Sequence, residues 1–344
     1  MEMVNEIKKL VDAKKEAFLH AGDLVWEYAE IGFKEFQSAK ALTDVLKAEG
    51  FAVQEGVAGI PTAFVASWGE GKPIIGLLGE YDALPALKHA AGDPVESSEI
   101  VSENGHGCGH NLLGAGALGA AVAVKDYMQA HGLKGTIRYY GCPGEEFGSG
   151  KMFMARAGAF DGIDAAFTWH PSTLNSVWGV SSLANNSIYY KFKGRTSHAA
   201  ASPHLGRSAL DACELMSVGC NYLREHIIPE ARLHYAYRDV GGSAPNVVQD
   251  HACVFYYVRS PRLYQVLDLY ERVKDVARGA ALMTGTQLEI VLNDGLCDYV
   301  PNDTLSKLLY ESFCEVGGPK FSEEEKALAA EFAKTFDPAA VADK

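Results

Sequence analysis

Between residues 73 and 170 short apolar runs alternate with helical periodicities, and this rhythm narrows the possible folds more than any other feature of the chain. PIIGLLGEYD starts at Pro73, a small-residue helix follows from about Asn111, TIRYYGC starts at Thr136, a helical pattern surrounds KMFMARAG, and DAAFTWH ends at His170. Runs of strand length separated by helices predict an α/β domain with a mostly parallel sheet, because helical crossovers cover both faces and bury the strands. In such sheets the polar residues just beyond the strand C-termini line the site. That rule selects Asp82, the stretch from Cys142 to Glu146, and His170. Residues 4–20 and 35–48 read as amphipathic helices ahead of this core.

From Ser181 the order changes. SIYYKFKG, GRSALDACELMSVGCNYL, RLHYAYRD, ACVFYYVR, LYQVLDLYERVKDVARGAALM and TQLEIVL read as β-α-β-β-α-β, the ferredoxin-like α+β order. The expected organisation is a catalytic domain over 1–180 and 296–344, with an inserted domain over 181–295. Helical patterns resume at NDTLSKLLYESFCEVG and SEEEKALAAEFAKTF.

A length of 344 residues favours two domains, and a net charge of −13 repels phosphate backbones and anionic lipid. Nucleic-acid and membrane roles are therefore not expected, and a small-molecule substrate is. Seven cysteines without a C-x-x-C pair fit reduced thiols in a cytoplasmic protein. The N-terminal stretch has no signal-type apolar core, and LLGAGALGAAVAV is too short and glycine-rich to span a bilayer.

Three stretches carry residues suited to chemistry. In ENGHGCGHN, glycines let the backbone turn while Cys108 and His110, at i and i+2, can face one point. Alone, this is equally a glycine-rich turn with a buried thiol and a hydrogen-bonded imidazole. In GCPGEEFGSG, Glu145 and Glu146 follow a strand, either as a solvated pair at a helix start or with divided labour, one binding a metal and the other taking a proton from water. His170, in TWHP, is a structural histidine or a ligand held extended by Pro171. Asp82, in GEYDALP, is a helix cap or the partner that orients a ligand imidazole. Together they form the inventory of a hydrolytic metal site with its base.

Competing motifs fit poorly. GAGALG at 114–119 matches G-x-G-x-x-G but lies inside a predicted helix with no acidic residue about twenty positions on, which leaves a nucleotide-binding oxidoreductase as a distant reading. GSGK at 148–151 lacks the first glycine and the Ser or Thr of a phosphate loop, and no G-x-S-x-G elbow occurs.

GEYDALP, ENGHGCGHNLLG, GCPGEEFGSGK, TWHP, SHAAASPHLGRSALDA and GGSAPNVVQ, in this order, resemble the M20 family of metallopeptidases and amidohydrolases, and within it the branch acting on p-aminobenzoyl-glutamate and dipeptide-like amides. The resemblance reaches from the N-terminus to about residue 315. It implies a metal-dependent amidohydrolase cleaving an N-acyl or aminobenzoyl amino acid or dipeptide, with Zn or Mn and up to two ions per chain. Carried over, Cys108, His110, Glu146 and His170 are metal ligands, Glu145 is the general base, and Asp82 supports the ligands. The inserted domain becomes a lid that also dimerises, with itself or with a related chain. In it His198 polarises the scissile carbonyl across the dimer, and Asn246 and Arg259 bind substrate.

The family's final ligand is a His near the C-terminus, and no His follows His251 here. The accompanying expectation is that the catalytic domain is truncated at that end. The alternative to an enzyme is a non-catalytic subunit or pseudoenzyme of the same fold with an incomplete site.

Overall fold

The computed structural model describes residues 2–87, 90–95 and 103–342. The chain divides into two compact units, one running to Val177 and resuming at Lys307, the other spanning Trp178–Ser306.

In the first unit α1 (Glu2–Tyr28) and α2 (Phe36–Ala48) precede β1 (Ala52–Glu55), β2 (Phe64–Glu70) and β3 (Ile74–Gly79). Then come α3 (His110–His131), β4 (Gly135–Gly141), α4 (Glu145–Gly148), α5 (Gly150–Arg156) and β5 (Ala165–Phe167). The five strands lie in the order β1-β2-β4-β3-β5. β3 pairs in parallel with β4 and β5, whereas β2 runs antiparallel to β1 and β4, so β2 alone opposes the other four strands. The expected mostly parallel α/β sheet is therefore present, with β2 as its reversed strand.

Apolar alternation describes β3, β4 and β5 but passes over β1 and β2. β1 reads AVQE and is almost wholly exposed, so no apolar run marks it, and β2 dilutes its apolar positions with Ser, Gly and Glu. The core lies between the sheet and α1, α2 and α3, where Val25, Leu42, Leu46, Leu118, Val122 and Tyr139 are buried. The small residues of α3 let it approach closely: a Cβ on Gly114 would lie 2.7 Å from the Glu80 carbonyl oxygen, and one on Gly119 3.1 Å from the Phe18 ring. GAGALG is thus a packing surface, which removes the basis for a dinucleotide site.

The second unit contains β6 (Ala184–Lys193), α6 (Ala209–Leu223), β7 (Arg232–Asp239), β8 (His251–Ser260), α7 (Leu263–Thr284) and β9 (Gln287–Leu296). Its strand order β7-β8-β6-β9, antiparallel throughout, is that of a ferredoxin-like α+β domain. α6 and α7 supply Cys213, Met216, Val266 and Val273 to a core shared with Ile188, Tyr190, Val254 and Tyr256 of the sheet. The unit extends past residue 295 because the Asp298 carboxylate accepts from Arg262 and from the Leu263 N–H, and Tyr299 N–H donates to Ser182. α8 (Asp303–Val316) starts in the last residues of this unit, and α9 (Glu323–Ala333) and α10 (Pro338–Ala342) follow. Among the described residues no helix is long and apolar enough to cross a membrane.

Candidate metal centre and its base

The parallel strands β3, β4 and β5 end on the same edge of the sheet, and their continuations bring the expected residues of the first unit together. Glu80 and Asp82 follow β3, Glu145 and Glu146 open α4 after β4, and His170 follows β5. Gly109, at φ 82°, takes the left-handed conformation that starts α3 and places His110 in its first turn.

Cys108 Sγ lies 3.2 Å from His170 Nε2, and the thiol, His110 and His170 form one group able to hold a metal ion. His110 is fully buried. Its Nδ1 lies 2.9 Å from Asp82 Oδ1 and 3.2 Å from the Asp82 carbonyl oxygen. Both neighbours are acceptors, so Nδ1 carries the proton and Nε2 presents its lone pair to the site. The other Asp82 oxygen accepts the Glu146 N–H at 2.8 Å, so one carboxylate orients an imidazole and the start of α4.

His110 Nε2 lies 3.1 Å from Glu80 Oε2 and 3.8 Å from Glu145 Oε2, a second group of metal-binding geometry. His110 Nε2, Glu80 Oε2 and Glu146 Oε1 are buried without hydrogen bonds. A lone pair facing carboxylate oxygens is repelled unless a proton or a metal cation lies between them, and this thiol, imidazole and carboxylate set has the donor types that suit a divalent ion.

The local field is negative. Burial, then the Glu146, Glu145 and Glu80 carboxylates, push the Cys108 thiol up to about 12. Partial burial and Glu80 push Glu145 above the usual carboxylate range, against the opposing pull of Lys151 and His110. Burial works against a charged His110 ring, but Asp82, Glu80 and Glu145 hold its pKa above the ordinary value.

Several residues around this centre escape the sequence reading. Glu80 sits in the GEYDALP stretch two positions before Asp82, and its other oxygen lies 2.5 Å from Lys151 Nζ. Lys151 belongs to the rejected GSGK motif; here its ammonium balances Glu80. His106, the first histidine of GHGCGHN, donates from Nε2 to the Val25 carbonyl, 2.9 Å away, and stacks on Trp26. Burial pushes its ring down to about 4, so it is a neutral structural residue. Glu35 is fully buried and accepts the Gly144 N–H at 2.7 Å. Nothing in its exposed-helix context marks it.

In the second unit the structure brings His198 and Asn246 into one loop cluster. His198 pairs with Val247 in an isolated bridge, and the Ala199 N–H donates to the Asn246 carbonyl at 2.9 Å. The N–H groups of Ala200 and Ala201 donate to His198 Nδ1 at 3.2 and 3.0 Å, which places the proton of a neutral ring on exposed Nε2. Arg259 lies apart from them on β8, opposite Asn185 and Arg232, with its guanidinium over the Tyr257 ring and Nε unpaired.

Known proteins resemble this chain in sequence and fold. Residues 76–334 match the model of peptidase family M20/M25/M40. The chain is 47% identical over 334 residues to a subunit of the p-aminobenzoyl-glutamate hydrolase of Escherichia coli, covering 97% of this chain and 69% of that one. Among solved structures, an aminobenzoyl-glutamate utilization protein from Klebsiella pneumoniae matches with a TM-score of 0.70 at 19% identity, over 95% of this chain and 90% of that one. A dinuclear metal binding peptidase of the M20 family from Bacillus subtilis matches with a TM-score of 0.60 at 22% identity, over 88% and 81%. At those identities the two structures speak for the fold.

Proposed function

The chain belongs to peptidase family M20/M25/M40, whose members include metal-dependent hydrolases of amide bonds, and from that premise we propose that it cleaves the amide of an N-acyl or aminobenzoyl amino acid or dipeptide, with p-aminobenzoyl-glutamate as the first substrate to test. The observation that carries this reading is that Cys108, His110 and His170 form one group able to hold a metal ion and Glu80, His110 and Glu145 another, with buried donor atoms left unpaired.

Cys108, His110, Glu146 and His170 are the ligands in this reading. A divalent ion held there supplies Lewis acidity toward the amide carbonyl and acidifies water. Thiolate and imidazole suit zinc, carboxylates suit manganese, and we place up to two ions per chain. Asp82 holds the His110 ring with its lone pair outward and fixes the Glu146 backbone. Glu145, raised above the usual carboxylate range, takes the proton of the attacking water and passes it to the leaving amine. In the second unit His198, with Nε2–H exposed, is suited to donate to the carbonyl oxygen, Asn246 to hold the substrate, and Arg259 to pair with a carboxylate. That the Escherichia coli relative is named as one subunit of its hydrolase supports an assembly, through the second unit, with another copy or a related chain.

The alternative of a non-catalytic subunit with an incomplete site is not favoured, since the chain is 47% identical to a hydrolase subunit and two groups of its residues are able to hold a metal ion. The test is hydrolysis of p-aminobenzoyl-glutamate by the purified chain after loading with Zn or Mn, following p-aminobenzoate release together with metal content. Metal-dependent release is the expected result; bound metal without release from any N-acyl or aminobenzoyl amino acid or dipeptide overturns the assignment.

A further inference from the structure

The segment between α1 and α2, residues 29–35, touches both limbs of the site without contributing a ligand. Ile31 forms a parallel bridge to Ala83, and the Ala83 N–H donates to the Glu30 carbonyl at 2.8 Å, one residue beyond Asp82. At its other end the Glu35 carboxylate accepts the Gly144 N–H at 2.7 Å, one residue before Glu145. Glu35 is wholly buried, and its second oxygen has no partner. A buried carboxyl costs free energy, and the hydrogen bond from the Gly144 N–H offsets part of that cost.

Phe33 approaches the same turn from its own side. A Cβ on Gly144 would lie 2.7 Å from its ring and one on Gly148 2.8 Å, so the ring lies directly on the glycines flanking Glu145 and Glu146. To reach them Phe33 adopts φ 64°, a left-handed conformation that a residue with a Cβ holds only where its surroundings impose it. Gly144 itself has φ 65° and opens α4 without a side-chain cap. The four-residue helix carrying both glutamates therefore has little to hold it from within, and is clamped from outside by a buried carboxylate and an aromatic ring.

We infer that Glu35, assisted by Phe33, is a positioning residue of the hydrolytic reaction, fixing the Gly144 backbone so that Glu145 is presented to the site formed by Asp82 and His110. This rests on the reading of Glu145 as the base. Displacing a catalytic group by about 1 Å lowers turnover by about a hundredfold. A carboxylate withdrawn by one methylene should act through kcat, because the Glu146 N–H is held separately by Asp82 while Gly144, next to Glu145, loses its acceptor.

The test compares the metal-loaded wild type with Glu35→Asp, Glu35→Gln and Glu35→Ala in three readouts: kcat and KM on p-aminobenzoyl-glutamate, metal content, and amide hydrogen exchange at Gly144. Glu35→Asp and Glu35→Ala should lower kcat at least about tenfold with KM within about twofold, keep their metal, and exchange the Gly144 amide at least about tenfold faster. Glu35→Gln retains an acceptor oxygen and should recover most of both losses. Unchanged Gly144 exchange in Glu35→Asp overturns the clamp whatever the activity. Faster exchange with unchanged kcat overturns its role in the reaction. A wild type that holds metal but turns over no substrate refutes the functional reading, while the exchange data still decide whether Glu35 holds Gly144. If Glu35→Ala fails to fold, Glu35→Asp decides alone.

Discussion

Cys108 Sγ and His170 Nε2 lie 3.2 Å apart although 62 positions separate them in the chain. Two parallel-sheet loops, one leading into α3 and one following β5, deliver a thiol and an imidazole to the same point beside buried His110.

Replacing Cys108 with Ala removes the thiol from the donor group. Isothermal titration with Zn should show affinity weakened by about tenfold or more, because structural metal affinity falls steeply as donors are lost. Chelation of the wild type should also lower its Tm: an ion present at about a hundred times its Kd stabilises by about 2.7 kcal/mol, worth on the order of 5–10 °C in a domain of this size. Equal Zn affinity in wild type and variant would remove Cys108 from the ligand set.

Glu145→Gln and Glu146→Gln should separate base from ligand. The first should keep its metal and lose about 10²–10⁴ in kcat; the second should lose metal affinity as well. A Glu145→Gln enzyme that turns over at the wild-type rate would assign the proton transfer elsewhere.

Asp82 orients the His110 ring and accepts the Glu146 N–H. Asp82→Ala should lower metal affinity by about 10- to 100-fold, the effect seen when the partner of a ligand histidine is lost. Zn binding measured in the variant checks this, and a retained wild-type Kd would show that His110 holds its orientation without Asp82.

A four-membered ion network ties α1, α2 and α3 together: Lys14 lies 2.5 Å from Glu49 and 2.7 Å from Asp126, and Lys125 lies 2.9 Å and 2.7 Å from the same two acids. Burial pushes the Glu49 and Asp126 carboxyls up, but hydrogen bonds from the two lysines outweigh it and leave both below their ordinary values. A folded-state pKa below the unfolded one stabilises fully above the unfolded range, about 3.9–4.3, and that contribution disappears as pH falls through the folded values. Lys14 is raised despite burial, so its share persists at neutral pH and is lost only in strong alkali. Lys14→Met should therefore cost on the order of 1 kcal/mol in urea unfolding at about pH 7, and the gap to wild type should close as pH falls well below the unfolded carboxylate range. A gap of equal size at both pH values would show that packing of the lysine stem, not charge, sets the effect.

Much of this was legible in the chain because each signal was local. The runs ending at Asp82, Cys142 and His170 contain strands with the candidate site residues just past their C-terminal ends, since a parallel sheet aligns those ends. β1 and β2 were not legible because an exposed edge strand and its reversed neighbour need no apolar run. His106 and His110, four residues apart in one glycine-rich stretch, look alike in sequence; burial against Val25 and Trp26 makes one structural, while Asp82 turns the other toward the site.

The sequence by itself determined the order β3-α3-β4-β5 around the site, the β-α-β-β-α-β order of the second unit and the residue types at the strand ends, because periodicity and spacing are properties of neighbouring residues. Only the tertiary structure decided which of those residues meet, that Glu80 stands between His110 and Lys151, and that Glu35 reaches Gly144 across 109 positions. Such contacts arise from crossovers and loop closures that bring distant segments together. The distances they set, and the burial that shifts the charges, have no counterpart in the local pattern.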